Sequence, residues 1–461
     1  MNTTTPSLAA LCGARLSRLD AVPVTGVSTD TRTLRPGELF LALHGDRHDG
    51  HDHLDAALAA GAAALLVDRD PPADCPVPVL RVNDSGEALQ RLAAGWRQRH
   101  ALPGIAVCGS NGKTTVKDML AGILRAAFGD GLLSTPLNHN NAIGVAATLL
   151  GLETHHRAFV LELGTNHPEE IAGLAAMARP TVALITNAQR EHQEFFRDTD
   201  TVAVENAGAL AMLPPDGVAV FPAGSPYTPV WRAVADGRRC LTFGEGPEAD
   251  IRLEAFTTGD THNTLVLTGI PGLRDLHLRV PGRHNALNAA AAATAAHALG
   301  LDAGVIRAGL ESYGGTPGRL VRLPQPGGRL LIDDTYNANP DSVRAAIDVL
   351  AACPGPRWLV LADMGECGER APEFHTEVGR YARERGLDRL FTLGEASRHA
   401  AAAYGPDAVA TSGLPELLAA LGDPPPGGTV LVKGSRFMRM ERVVAALRER
   451  LGGGEGASCG S

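Results

Sequence analysis

Seven consecutive residues, Gly109-Ser110-Asn111-Gly112-Lys113-Thr114-Thr115, carry the most specific chemical signal in the chain. Two glycines let the backbone turn tightly and approach a ligand, and a lysine and a hydroxyl residue follow. Between a strand and a helix, such a loop offers phosphate oxygens a set of backbone N–H groups and a helix N-terminus. The lysine then reaches the β and γ phosphates, and the Thr114 hydroxyl is placed to ligate Mg2+. The flanks fit: the apolar run at 104–108 reads as a strand, and residues 114–128 have helical apolar spacing closed by Gly129. The fuller form of this loop has another glycine five residues before the Gly-Lys pair, where this chain has Val107. The loop is a variant that specifies a nucleotide and Mg2+ but leaves the reaction open.

Further polar residues stand at the ends of apolar runs. Glu162 closes "AFVLELG", and Asn187 and His192 follow "TVALITNA". In a parallel sheet these positions share the edge that carries the phosphate loop, which makes Glu162 and His192 candidate metal ligands. A solitary histidine in a polar loop is ordinarily a surface residue; here the placement favours function. Asn138, His139, Asn140 and Asn141 form an amide cluster suited either to a polar substrate or to capping the helix that follows. Asn285 and Asn288 share a helical face, and read a base edge or cap their helix.

Three segments near the C-terminus, "IDDTYNANPDSV", "LADMGECG" and "VKGSRFMRME", each follow an apolar strand. If those strands are parallel, one edge gathers Asp333, Asp334, Tyr336, Asn337, Asp363, Glu366, Lys433, Ser435 and Arg436. Asn339-Pro340 then starts a helix with the apolar stripe Val343, Ala346, Ile347 and Leu350. So many polar groups on one edge suit a second binding surface facing the nucleotide.

These residues need elements to position them. The 461 residues exceed one hydrophobic core and suggest about three domains. The expected class is α/β throughout. A small substrate-binding domain spans 1–102, with strands at "ELFLAL" and "ALLV" and a helix N-capped by Ser85. A central parallel-sheet P-loop domain spans 103–313. It carries an antiparallel appendage at about 250–280 and closes with an alanine-rich helix from His284 to Leu299. The Gly/Pro-rich stretch "YGGTPGR" suits a hinge to a second doubly wound unit, Rossmann-like, over 314–452; residues 453–461 read as a flexible tail. The net charge of −9 argues against nucleic acid or a membrane surface as partner. Seven scattered cysteines, with no C-x-x-C pair, fit reduced thiols in a cytoplasm. No signal peptide is visible, and the alanine-rich run, interrupted by Asn288 and His297, reads as a buried helix and not a membrane span.

Over nearly its whole length the chain resembles the Mur ligase family. The carriers are "STDTRTLRPGELFLALHGDRHDGHDHLDAALAAGAAALLV", "GSNGKTT", "NNAIGV", "ELGTNHPEEI", "DDTYNANPDSV", "ADMGE" and "KGSR". Within the family, "DTYNANP" and "KGSR" favour the branch that adds D-alanyl-D-alanine to UDP-N-acetylmuramoyl-tripeptide. The resemblance implies an ATP- and Mg2+-dependent, cytoplasmic, monomeric enzyme acting on small molecules. It places Lys113 and Thr114 at the phosphates and metal, and Glu162 and His192 as metal ligands. Asn285 and Asn288 would lie near adenine, and Arg319 and Asp334 near the ribose and phosphates. It puts Ser28, Asp30, Arg32, Asp49 and His51 in the UDP region. The asparagines 138, 140 and 141, with Tyr336, Asn337, Lys433, Ser435 and Arg436, fall to the other substrates. One departure stands out: family members commonly carry a lysine about fourteen residues after the metal-binding histidine, and here Asn206 takes that position beside Glu205. One of these two is expected to supply the missing oxygen ligand. A ligase for the third stem residue, a folate polyglutamylating enzyme and a P-loop ATPase switch remain the alternatives.

Overall fold

The computed structural model describes residues 1–45, 48–70, 74–191, 193–259 and 262–452; the tail expected at 453–461 lies outside them. Three main sheets follow one another along the chain. The first has five strands in the order Arg15–Leu16, Val79–Arg81, Ala64–Val67, Leu39–Leu41, Val27–Ser28; only the first pairing is antiparallel. Its short strands are apolar on both faces because both are covered: Leu39, Leu41 and Leu66 enter one core, while Phe40, Leu65 and Val67 enter another. The helix Ser85–Arg97 closes this unit. Its N-cap is Asp84, not Ser85 as the sequence suggested: Asp84 accepts from the Glu87 N–H at 2.7 Å. Ser85 instead donates its hydroxyl to Asp68 at 2.9 Å. Both residues are good caps, and a tertiary acceptor for Ser85 decides between them.

The second sheet has nine strands. Gly104–Cys108 lies between Ala158–Glu162 and Val182–Ile185, parallel to both, with Val107 opposite Glu162 and Cys108 opposite Ile185. This register brings the three strand ends level, so the loops that follow them emerge side by side. Val107 is fully buried in the core cluster that also takes in the alanine-rich helix Arg283–Ala298, so it contributes packing where the longer loop has glycine. In that helix Ala289 to Ala296, apart from Thr294, are alanines with essentially no exposed surface, and their small size lets the helix lie close on the sheet. The antiparallel appendage is present as Ile251–Thr257, Asn263–Thr268 and Leu276–Leu278. It is fused to the same sheet through Arg239–Gly244, a strand of mixed composition whose pattern is weak in sequence.

The third sheet has six strands, ordered Val321–Gln325, Arg329–Asp334, Thr429–Lys433, Arg357–Ala362, Arg389–Leu393 and Ala408–Thr411. All pairings are parallel except the first. The parallel trio Arg329–Asp334, Thr429–Lys433 and Arg357–Ala362 gathers its three polar loops on one edge, as expected. The helix Pro340–Ala351 opens with a reciprocal Asn339–Ser342 capping box and buries Val343, Ala346, Ile347 and Leu350 completely. Among the described residues no helix is long and apolar enough to cross a membrane.

Candidate active site

The level strand ends of the central sheet and the polar edge of the third sheet face each other across one cleft of about 1080 Å³. Ser110 to Thr115 form its floor. Gly109 has φ +118°, and a Cβ there would lie 2.2 Å from Thr186 Oγ1, so only glycine lets the loop pass. Gly112 has φ +85° and packs on Asn288, whose Oδ1 would sit 2.5 Å from any added Cβ. The helix Lys113–Phe128 begins directly after it and directs its N-terminus into the cleft.

The loop is held from the strand Val182–Ile185. Asn187 accepts from Asn111 N–H and donates back to Asn111 O, both at 2.9 Å. Gln189 accepts from the Asn111 amide at 2.7 Å and, through its own N–H, donates to Ser110 Oγ at 2.9 Å. Lys113 Nζ donates to Gly109 O, Ser110 O and, at 3.0 Å, Glu191. Gln189, Arg190 and Glu191 were not anticipated from the sequence; their signal is position alone, the strand end just before His192. His192 lies outside the described residues.

Glu162 is 2% exposed. Its Oε1 accepts from the Asn140 amide at 2.8 Å, while its Oε2 is buried with no hydrogen-bond partner among the described residues. Asn138, Asn140 and Asn141 all line the cleft, but Asn141 also caps the helix Ala142–Leu150 through Gly144 N–H at 2.9 Å. Asn285 and Asn288 line it too, linked by a 3.1 Å bond, with Asn285 donating back to Pro281 O. Nearby His284 is held neutral: burial pushes its pKa down to about 4, against an opposing pull from Asp334.

Arg319, the last residue of the Gly/Pro-rich stretch, donates to Thr114 Oγ1 at 2.9 Å and stacks over the Tyr336 ring at 4.2 Å. Its Nε is buried without an acceptor among the described residues. Lys433 is buried and donates to Asp334 at 2.6 Å and to Asn337 O at 2.9 Å. Tyr336, Asn337, Glu366 and Arg436 complete this wall. Ser435, expected at the substrate, is a brace instead. It is 3% exposed, does not line the cleft, donates to Ala338 O at 3.1 Å and accepts from Gly365 N–H at 2.8 Å. Asp333 likewise serves its own loop, accepting from Thr335, and Asp363 braces the loop after Arg389–Leu393, accepting from the Glu395 and Ser397 N–H groups.

Glu205 and Asn206 do not supply the expected oxygen. Both carboxylate oxygens of Glu205 are taken by backbone N–H groups, Glu169 at 2.6 Å and Ile171 at 2.8 Å, at the start of the helix Glu170–Ala178. The Asn206 amide donates to Val202 O, its residue is 1% exposed, and neither side chain lines the cleft. Helix-end capping outcompeted the metal role that spacing suggested. In the first unit, Ser28, Asp30, Arg32, Asp49 and His51 also stand outside this cleft. There Arg32 holds Asp30 at 2.6 Å and lowers its pKa to about 2. Hydrogen bonds from His51, then the charge of Arg69, hold Asp49 well below the usual carboxylate range.

Comparison with known proteins agrees with this arrangement. Family models match residues 23–97 (Mur ligase family, catalytic domain), 107–296 (Mur ligase middle domain) and 318–436 (Mur ligase, glutamate ligase domain). The chain is 40% identical over 436 residues to the UDP-N-acetylmuramoyl-tripeptide–D-alanyl-D-alanine ligase of Escherichia coli K12, covering 93% of this chain and 94% of that one. A crystal structure of MurF from Acinetobacter baumannii superposes with a TM-score of 0.90 at 32% identity, covering 97% and 99% of the two chains. MurF from Thermotoga maritima, solved in complex with ADP, gives 0.84 at 27% identity over 93% and 98%. With family models over most of its length and a relative this similar from end to end, the chain belongs to the Mur ligase family.

Proposed function

We propose that the chain is an ATP-dependent ligase that joins D-alanyl-D-alanine to UDP-N-acetylmuramoyl-tripeptide through an acyl phosphate. The observation that carries this reading is the single cleft in which a phosphate loop faces the polar wall of Asp334, Tyr336, Asn337 and Lys433. End-to-end similarity to enzymes of that name supports it. A carboxylate is a poor acylating agent because its oxyanion is a poor leaving group. Attack by the tripeptide carboxylate oxygen on the γ phosphorus forms the O–P bond and releases ADP. The dipeptide amine then attacks the acyl carbon, gives up a proton, and expels inorganic phosphate as the C–O bond breaks.

The chain's residues position reactants and offset charge. The loop N–H groups and Lys113 hold the phosphates of a substrate that would otherwise repel the incoming carboxylate. For that, Lys113 exchanges Glu191 for phosphate oxygens. Asn285 and Asn288 flank the nucleotide end, and Arg319 and Asp334 the ribose and phosphates. Mg2+ fits the same floor: Glu162, with one oxygen that has no partner among the described residues, and Thr114 line it, and His192 is the third residue assigned to the ion. When bound, Mg2+ supplies charge neutralisation at the phosphates. Lys433, Asn337, Tyr336 and Arg436 form the wall assigned to the acyl and dipeptide substrates. The Ser28-to-His51 region is assigned to the UDP end.

The test is phosphate release with the purified protein. Release should match amide product one to one and require both UDP-tripeptide and D-Ala-D-Ala, with 18O from the tripeptide carboxylate appearing in phosphate. Release indifferent to the two substrates would establish a P-loop switch instead.

A further inference from the structure

The strand-end segment 187–191 is built in two directions. Asn187, Gln189 and Glu191 grip the phosphate loop and Lys113, whereas Arg190 between them turns to the other side of the cleft. Its guanidinium donates to Asp341 at 2.6 Å and to Glu377 at 2.6 Å, and its backbone N–H donates to Asp341 at 2.9 Å. Asp341 lies in the first turn of the helix Pro340–Ala351, and Glu377 in the helix Ala371–Glu384; both belong to the third unit. Arg344 also donates to Glu377, and Arg190 lies 5.4 Å from the Phe374 ring centroid. These groups are only 22–32% exposed at the side chain, so the pairs are shielded more than surface ion pairs. Alongside, Asn339 donates to the phosphate-loop residue Asn111 at 2.9 Å, and Glu194 N–H to Glu366 O at 3.1 Å.

We infer that Arg190 is a positioning residue that couples docking of the C-terminal unit to the geometry of the phosphate loop. Two carboxylates on separate helices converge on one guanidinium, and a fork of this kind fixes orientation as well as distance. Five residues of backbone carry that constraint to Lys113 through Glu191 and to Asn111 through Asn187 and Gln189. When the third unit swings away, Arg190 loses both carboxylates, and the segment is held from the loop side alone. The docked unit thereby sets the loop for phosphoryl transfer, beyond merely covering the cleft. This inference rests on the ligase reading above.

The experiment measures steady-state ligation by wild type, Arg190→Ala, Arg190→Lys, Asp341→Asn and the double variant Arg190→Ala/Asp341→Asn, with solution scattering of each under saturating UDP-tripeptide and a non-hydrolysable ATP analogue. Arg190→Ala should lower kcat by about 30- to 100-fold while the ATP KM stays within about threefold, because the loop's own contacts remain. Arg190→Lys should recover part of that loss. Asp341→Asn, altered in the other unit, should reproduce the kcat defect, and the double variant should be no worse than the poorer single. The radius of gyration of the liganded Arg190→Ala protein should exceed that of liganded wild type. A kcat within threefold of wild type, losses that multiply in the double variant, or equal compaction would each overturn the inference. If Arg190→Ala does not fold, Asp341→Asn with Glu377→Gln decides by the same criteria. Wild type that makes no amide product refutes the ligase reading itself, which keeps the two failures apart.

Discussion

Lys433 is the most consequential buried charge in the cleft wall, and removing it has a calculable cost. Its side chain is 4% exposed and that of its partner Asp334 11%, with 2.6 Å between them. Asp334 also accepts from Leu320 N–H at 3.2 Å, so in Lys433→Met that one weak bond is what remains for the carboxylate among the described residues. Breaking a buried pair by deleting one partner costs about 3–5 kcal/mol, because the other charge stays desolvated. The methionine fills most of the lysine volume, so the cavity contribution is small and about 3–4 kcal/mol is expected. With a urea m-value of about 2 kcal/mol/M for one domain, the midpoint of the C-terminal unit should fall by roughly 1.5–2 M. The three units need not unfold together, so the transition should be followed by hydrogen-exchange mass spectrometry of peptides covering 329–334 and 429–433. Lys433→Met/Asp334→Asn, which removes both charges, should return to within about 1 kcal/mol of wild type. A single variant costing under about 1 kcal/mol, or a double variant with additive losses, would show that the desolvated, orphaned carboxylate is not what makes the substitution costly.

Lys113→Met should lower substrate-dependent phosphate release by about 10²–10³-fold, as removal of one preorganised charge-stabilising group does; a coupled phosphate assay reads it. Glu205→Ala should destabilise by about 1–3 kcal/mol, since a buried and a half-buried N–H group lose their acceptor, yet leave the Mg2+ dependence of turnover unchanged. Urea titration and a Mg2+ titration of activity separate the two effects. His284 is held neutral by burial, with a folded pKa of about 4 below its ordinary 6.5. The unfolded chain therefore binds the proton first as pH falls, so stability declines from about pH 6.5 and levels off near pH 4. Wild type should lose about 2 kcal/mol between pH 7 and pH 5 that His284→Gln does not lose, measured by urea titration at each pH.

Much of the architecture was legible because its signals are local. The glycine-loop pattern, the Asn339 cap and the apolar runs of parallel strands each depend on a few neighbouring residues. Strands of mixed composition, such as Arg239–Gly244 and Ala408–Thr411, escaped because their neighbours in the sheet, not their own pattern, make them strands. At the site, Lys113, Thr114, Glu162, Arg319 and Asp334 came from motif or resemblance, and the structure gathers all five on one cleft. Ser435 and Glu205 had the right residue type at the right spacing, yet backbone groups from distant segments claimed their oxygens.

What the amino-acid order determined alone was chemistry that needs only a few residues in a row: a turn that can grip phosphate, caps that start helices, and apolar runs that must be buried. What tertiary structure alone decided was the partner of each polar side chain. Arg190 reads as an ordinary surface arginine until Asp341 and Glu377, 151 and 187 residues later, are folded against it. Hydrogen bonds act over about 3 Å, and nothing in a linear sequence states which remote groups will come within that distance.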